Sequence, residues 1–123
     1  MPPGVLSFEP DREWDLPAPA LFGTKMRTAL LMLVALLGES YPAELSRYLG
    51  TSIASVQRTL DKLEEEGIVA SRPRGVRVVT LDPSYPAVNE MRTLLLRLVE
   101  GYPQYDELKK SRRARPRRRA KPL

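Results

Sequence analysis

The chain has no cysteine and no histidine. Disulfides are therefore excluded, and with them the thiolate and imidazole ligands on which zinc and copper sites depend. The same absences remove the commonest nucleophile and general base. No Gly-rich phosphate loop or paired-carboxylate motif replaces them, so neither an enzyme nor a bound cofactor is expected. Lack of cysteine fits a reducing cytoplasm. Long hydrophobic runs are missing too: the Leu-rich stretch 30–37 is eight residues, against the ~20 that a membrane-spanning helix needs. Acids stand near the N-terminus where an export signal would carry a basic region. A soluble cytoplasmic protein with no membrane partner is the expectation.

What is present is charge, unevenly divided. The net charge is +5 over 123 residues, and the pI is about 9.8. Residues 1–108 hold 11 basic and 15 acidic side chains, a balance of −4, while residues 109–123 hold nine basic and no acidic ones, or +9. A whole-chain pI therefore says nothing about which face of the folded body is basic. Within residues 24–81 there are eight basic and six acidic residues, three of the acids being Glu64, Glu65 and Glu66. Attraction to phosphate must come from local placement, at Lys25, Arg47, Arg58, Lys62 and the arginines that follow.

Residues 1–20 contain Pro2, Pro3, Pro10, Pro17 and Pro19 and show no helical period. They read as an irregular arm, docked through Phe8, Trp14 and Leu16. Asp11, Glu13 and Asp15 alternate, but no turn glycine or closing glutamate completes a calcium loop. A helix is predicted from Lys25 to Leu37 with Thr24 as its cap. Met26, Ala29, Leu30, Leu33, Val34 and Leu37 form a wide apolar stripe, which Leu31, Met32 and Leu36 extend around the cylinder. Such a helix is covered on more than one side. It either sits at the domain centre or gives part of its surface to a second copy.

Residues 42–69 say most about function. One helix can open at Pro42, since a missing N–H costs nothing at the first helical position. Gly50 and Thr51 break the pattern, and Ser52 is placed to cap a second helix. On that helix Val56, Leu60 and Leu63 recur at i, i+4 and i+7 and form one stripe. Ala54, Gln57, Arg58 and Asp61 fall on the opposite side. Two helices crossing over a tight Gly-containing turn make a helix-turn-helix, whose second helix enters the DNA major groove. Two β-prone runs follow, 68–71 and 76–81. They are joined by a predicted type I turn over 72–75, with Pro73 second and Gly75 fourth. Arg72 and Arg74 stand at its tip, and Arg77 just inside the second strand.

The order Leu-Gly-x-Ser-x-x-x-Val-x-Arg-x-Leu-x-x-Leu-Glu-x-x-Gly-Ile-Val over residues 49–69, followed by a basic hairpin, resembles the prokaryotic winged helix-turn-helix regulators of ArsR-like and MarR-like layout. The opening residues Leu21, Phe22, Gly23, Thr24 and Lys25 before a Leu-rich helix are familiar from the same group. The resemblance spans about residues 22–100. It implies a mainly α fold with a small β-hairpin wing, double-stranded DNA as partner, and a homodimer that represses from an inverted repeat. It departs from the family's metal sensors, which use cysteine or histidine ligands. The domain plan is then an arm over 1–20, the winged helix-turn-helix over 21–83, and a helix over 84–102. A basic, disordered tail over 103–123 closes it.

In that frame Thr51, Ser52, Ile53, Ala54, Gln57 and Arg58 face base edges. Arg58 suits the two acceptors of guanine, and Gln57 the analogous pair on adenine. Ile53 or Ala54 suits a thymine methyl. The competing reading of Arg58 is an ion pair with Asp61 or Glu65. Arg72 and Arg74 suit backbone or minor-groove contacts; Lys62, Arg77, Arg47 and Lys25 suit phosphates. The helix over 87–100 carries Val88, Met91, Leu95 and Leu98 at 3-and-4 spacing. The family places a dimerisation helix there; the alternative is packing on the chain's own first helix. The run KKSRRARPRRRAKPL suits DNA or RNA phosphates without regard to sequence, or an acidic protein. A second function stays open beside DNA binding, namely a winged helix used for protein contact or assembly near nucleic-acid machinery. The acidic triplet and the −4 body favour it.

Overall fold

The structure is a computed structural model that describes residues 17–73 and 75–114, with side chains as far as Arg112. Phe8, Trp14, Leu16 and Arg74 lie outside the described residues. The elements run α1 (Lys25–Leu37), α2 (Pro42–Leu49), α3 (Ile53–Glu65), β1 (Val69–Pro73), β2 (Arg77–Leu81), α4 (Val88–Glu100) and α5 (Pro103–Ala114).

Helix α1 begins where expected, because the Thr24 hydroxyl accepts from the Arg27 N–H at 3.0 Å. Every residue from Thr28 to Val34 is buried. No single-faced helix does this. Helices α2, α4 and α5 and strand β2 all pack on α1, so its extra apolar surface is covered within one chain. Gly38, at φ +86°, stops the helix in a conformation that costs glycine little.

Helix α2 starts on Pro42 and ends at Gly50 in the left-handed region. Ser52 then caps α3 by accepting from the Ser55 N–H at 3.1 Å. Val56, Leu60 and Leu63 are fully buried, as their spacing predicts. Strands β1 and β2 form an antiparallel pair in which Val69 faces Leu81 and Pro73 faces Arg77. This register corrects the predicted turn. The connection is the three residues 74–76 rather than 72–75, and Pro73 belongs to the strand. Gly75, inside this connection, sits at φ +87°, where glycine carries no side-chain penalty. Proline is tolerated at a strand end because no ladder donor is needed there. A further pairing was not foreseen: Ser40 and Val79 exchange backbone hydrogen bonds of 3.0 and 2.8 Å, joining the α1–α2 connection to the wing.

Two expectations for the C-terminal part are overturned. Val88, Met91 and Leu95 of α4, assigned above to dimerisation, are buried within the monomer, and Leu98 packs against the same core. Their apolar stripe is satisfied by α1, so the alternative of packing within the chain is what the structure has. Residues 103–114 are not a disordered tail but helix α5, with Tyr105 and Leu108 wholly inaccessible. Among the described side chains of α5 the fully buried ones are Tyr105 and Leu108, which with the half-buried Arg112 fall at i, i+3 and i+7, too sparse a stripe to stand out among charged neighbours. Among the described residues no helix is long and apolar enough to cross a membrane.

The Tyr105 hydroxyl donates to the Pro17 carbonyl at 2.9 Å. Burial raises its pKa above the usual tyrosine range, with a smaller push from Tyr102. A raised folded-state value means stability is full below the unfolded tyrosine pKa of about 10 and is lost as pH rises beyond it. Absorbance titration should find Tyr105 the last tyrosine to ionise. Tyr105→Phe should cost about 1 kcal/mol at neutral pH and flatten the alkaline decline; an unchanged alkaline limb would refute this assignment.

Candidate nucleic-acid interface

The exposed side of α3 carries Ile53, Ala54, Gln57, Arg58, Asp61 and Lys62. Ser52 is also exposed and Thr51 half-exposed, so these residues of the expected reading face share one outward surface. From Thr51 to Leu60 this surface contains no acid. The helix N-terminus adds a partial positive charge of its own. Ile53, although apolar, is 45% exposed. Arg58 does not pair with Asp61 or Glu65; its Nη2 donates to the Ser55 hydroxyl at 3.3 Å, a weak contact that leaves the guanidinium projecting outward.

Acids begin one turn further on, and arginines meet them. Arg77 Nη2 lies 3.1 Å from Asp61 and 2.9 Å from Glu64. Its Nε donates to the Ser71 hydroxyl at 2.9 Å, and that hydroxyl donates to Glu64. Asp61, which shares the exposed side of α3 with Gln57 and Arg58, is thus neutralised from the wing. Arg27, which the sequence reading did not single out, holds Glu66 at 2.6 Å. Its hydrogen bonds keep the Glu66 carboxyl below the usual carboxylate range, against a small opposing effect of burial. These pairs fasten both β2 and α1 to the C-terminal half of α3.

The remaining expected residues are distributed around this surface. Arg72 is exposed on the wing and reaches Glu39 at 3.1 Å. Arg47 lies with its guanidinium 5.5 Å from the Tyr48 ring centre. Lys25 is half-exposed at the start of α1. Arg77 is the one whose position differs most from expectation, since its side chain turns inward onto α3 rather than outward. No local pattern signals this, because Arg77 and Asp61 are far apart in the chain and meet only when the wing folds back.

Replacing Arg77 tests that role. Loss of an exposed network of this kind costs about 1 kcal/mol or less, so Arg77→Ala should fold. It leaves Asp61 and Glu64 uncompensated, and duplex binding measured by fluorescence anisotropy should weaken. Adding Asp61→Asn and Glu64→Gln should restore it. Failure to recover would mean that Arg77 acts on phosphate directly.

Residues 42–85 match the Crp-like helix-turn-helix domain. No curated protein sequence matches the chain. Among solved structures, an apo-form mutant of ZitR from Lactococcus lactis is similar at 27% identity, over 71% of this chain and 67% of that one, with a TM-score of 0.50. A second ZitR mutant is similar at 24% identity over 84% and 68%, with the same TM-score of 0.50. A ZitR mutant in complex with DNA gives 24%, 87%, 70% and 0.48 for the same quantities, and adds nothing to the fold assignment. Helix-turn-helix, hairpin and flanking helices together make this chain a winged helix-turn-helix protein, mainly α with a two-stranded β wing.

Proposed function

We propose that the chain is a DNA-binding transcription regulator that reads duplex DNA with the exposed face of α3. The observation that carries this is the division of charge along α3. Its N-terminal half is accessible and acid-free, with Ser52, Ile53, Ala54, Gln57 and Arg58 outward. Three of the acids that follow are each held by an arginine of the same chain. A surface built for an acid-recognising partner would leave those carboxylates available. The protein-contact alternative therefore loses its main support, since only Glu65 of the triplet has no such partner among the described residues.

The match of residues 42–85 to a Crp-like helix-turn-helix domain supports the same reading, as does the likeness to ZitR, a protein also solved with DNA. In this reading Thr51 lies at the start of the reading face. Lys62, Arg72 and Arg74 serve neighbouring phosphates, Arg47 and Lys25 the flanks, and the protein works in the cytoplasm of a prokaryote. A two-fold homodimer of ArsR-like or MarR-like layout on an inverted repeat, acting as a repressor, is the fuller form of the proposal. The two copies would then meet through surfaces other than Val88, Met91 and Leu95, which the monomer already uses.

Selection from a random duplex pool at stated salt tests the reading. Recovery of an inverted repeat with half-sites about 10 bp apart supports the dimer. A single half-site, with a monomer by sedimentation, removes the dimer but keeps the reader. Absence of any enriched sequence overturns sequence-specific binding.

A further inference from the structure

Arg112 of α5 uses all three of its guanidinium nitrogens where α1 passes into α2. Its Nη1 donates to the Leu37 carbonyl at 3.1 Å and its Nη2 to the Glu39 carbonyl at 3.0 Å. Its Nε lies 3.1 Å from Oε2 of Glu44 on α2. The Leu37 carbonyl is at the C-terminal end of α1, where the helix offers no donor of its own. The other oxygen of Glu44, Oε1, accepts from the Ser40 hydroxyl at 2.6 Å. Glu39 and Ser40 are thus held from the side of α5, one through its backbone carbonyl and the other through a shared carboxylate.

The same two residues hold the wing. Ser40 exchanges backbone hydrogen bonds of 3.0 and 2.8 Å with Val79 of β2, and the Glu39 carboxylate accepts from Arg72 of β1 at 3.1 Å. Val79 and Leu81 also bury their side chains, but apolar burial has no direction. Hydrogen bonds weaken steeply with misalignment, so the Ser40 pair sets the angle at which the hairpin leaves the body. From Val79 to the exposed Val76 is three residues, about 10 Å of strand. A tilt of about 10° at Val79 would carry that end of the wing about 2 Å, enough to break a hydrogen bond to phosphate.

We propose that Arg112 is a positioning residue for the wing. Acting through Glu39, Ser40 and Glu44, it fixes the angle of the hairpin against α3, although its own bonds go to α1, α2 and their connection. A side chain of the last helix thereby governs the sequence-independent contacts that the wing makes. The consequence for duplex binding rests on the DNA reading above; the placement of the wing does not.

The absence of native cysteine allows clean pairs of spin labels in the full chain. One pair, Val76→Cys with Thr93→Cys, reports the wing against α4; a second, Ala54→Cys with Thr93→Cys, reports α3 against α4. With every variant held well below its unfolding midpoint, Arg112→Ala should shift or broaden the first distance distribution by about 2 Å. The second should stay as in the parent. Should Arg112→Ala not fold, Arg112→Lys carries the test, since lysine keeps a cation beside Glu44 but cannot span both carbonyls. An unchanged first pair overturns the proposal, and so does equal broadening of both, which is general loosening. On duplex DNA the unlabelled variant should lose about tenfold in affinity for preferred and random sequences alike, because backbone contacts carry no sequence information. Unchanged affinity, or a loss confined to the preferred sequence, would overturn it. A parent chain that binds no duplex sinks the DNA reading, and the distances alone then decide the positioning.

Discussion

Arg58→Ala should erase much of the difference between a preferred duplex and a random one. A guanidinium that takes both acceptors of guanine contributes about 1–3 kcal/mol of discrimination. The preferred duplex should therefore lose roughly 5- to 150-fold in affinity, while a random duplex loses only the share due to one positive charge. Folding should be unaffected, because the one described contact of the side chain is the 3.3 Å approach to Ser55 within its own helix. A thermal or urea midpoint within about 0.5 kcal/mol of the parent checks that. Arg58→Lys separates geometry from charge: lysine keeps the charge but lacks the planar fork, so random-duplex affinity should return and preference should not. Arg74→Ala provides the contrast, and should weaken all duplexes alike. Equal losses on preferred and random duplexes for Arg58→Ala would reduce it to a phosphate contact.

How much of this was legible beforehand varied by element, for physical reasons. Helix α3 was readable almost to its ends. Val56, Leu60 and Leu63 mark its buried side, Ser52 its cap, and Gly67 at φ +79° its stop, with the Ile68 N–H returning to the Leu63 carbonyl. All are local signals that a linear pattern carries. The wing was readable as a hairpin but not in register, since Pro73 and Gly75 fit either a four-residue turn or a three-residue loop. Pairing with Ser40, 39 positions away from Val79, then falls outside any local pattern. Helix α4 had the right stripe and the wrong partner. Periodicity shows that a face is apolar without showing whether the same chain covers it. The acids of α3 misled most, because Arg27 and Arg77 reach them from distant elements and change the character of the surface without changing its composition. For the candidate site, then, the side chains that point outward were readable, but the charges that cancel behind them were not.

The largest stability change is expected at a residue that the charge pattern had placed in a tail. Glu44 is almost completely enclosed, with its side chain 5% exposed, and accepts from the Ser40 hydroxyl at 2.6 Å. The Tyr48 hydroxyl stands off at 3.5 Å, too long to carry much. Arg112 is therefore the only described cation on this carboxylate, and it also serves two backbone carbonyls at the end of α1. Removing one partner of an enclosed pair leaves a desolvated charge, which costs about 3–5 kcal/mol when both partners are fully buried. Here 31% of the Arg112 side chain is exposed, so water can reach the vacated site and about 2–3 kcal/mol is the better expectation for Arg112→Ala. Urea unfolding should show a lower midpoint at constant slope. Lysine should not rescue it, because a single ammonium cannot reach Glu44, Leu37 and Glu39 in the same fan of donors. A double-mutant cycle with Glu44→Gln isolates the pair: the two losses should be strongly less than additive. If Arg112→Ala instead costs under about 0.5 kcal/mol, as a surface arginine would, α5 is held by Tyr105 and Leu108 alone.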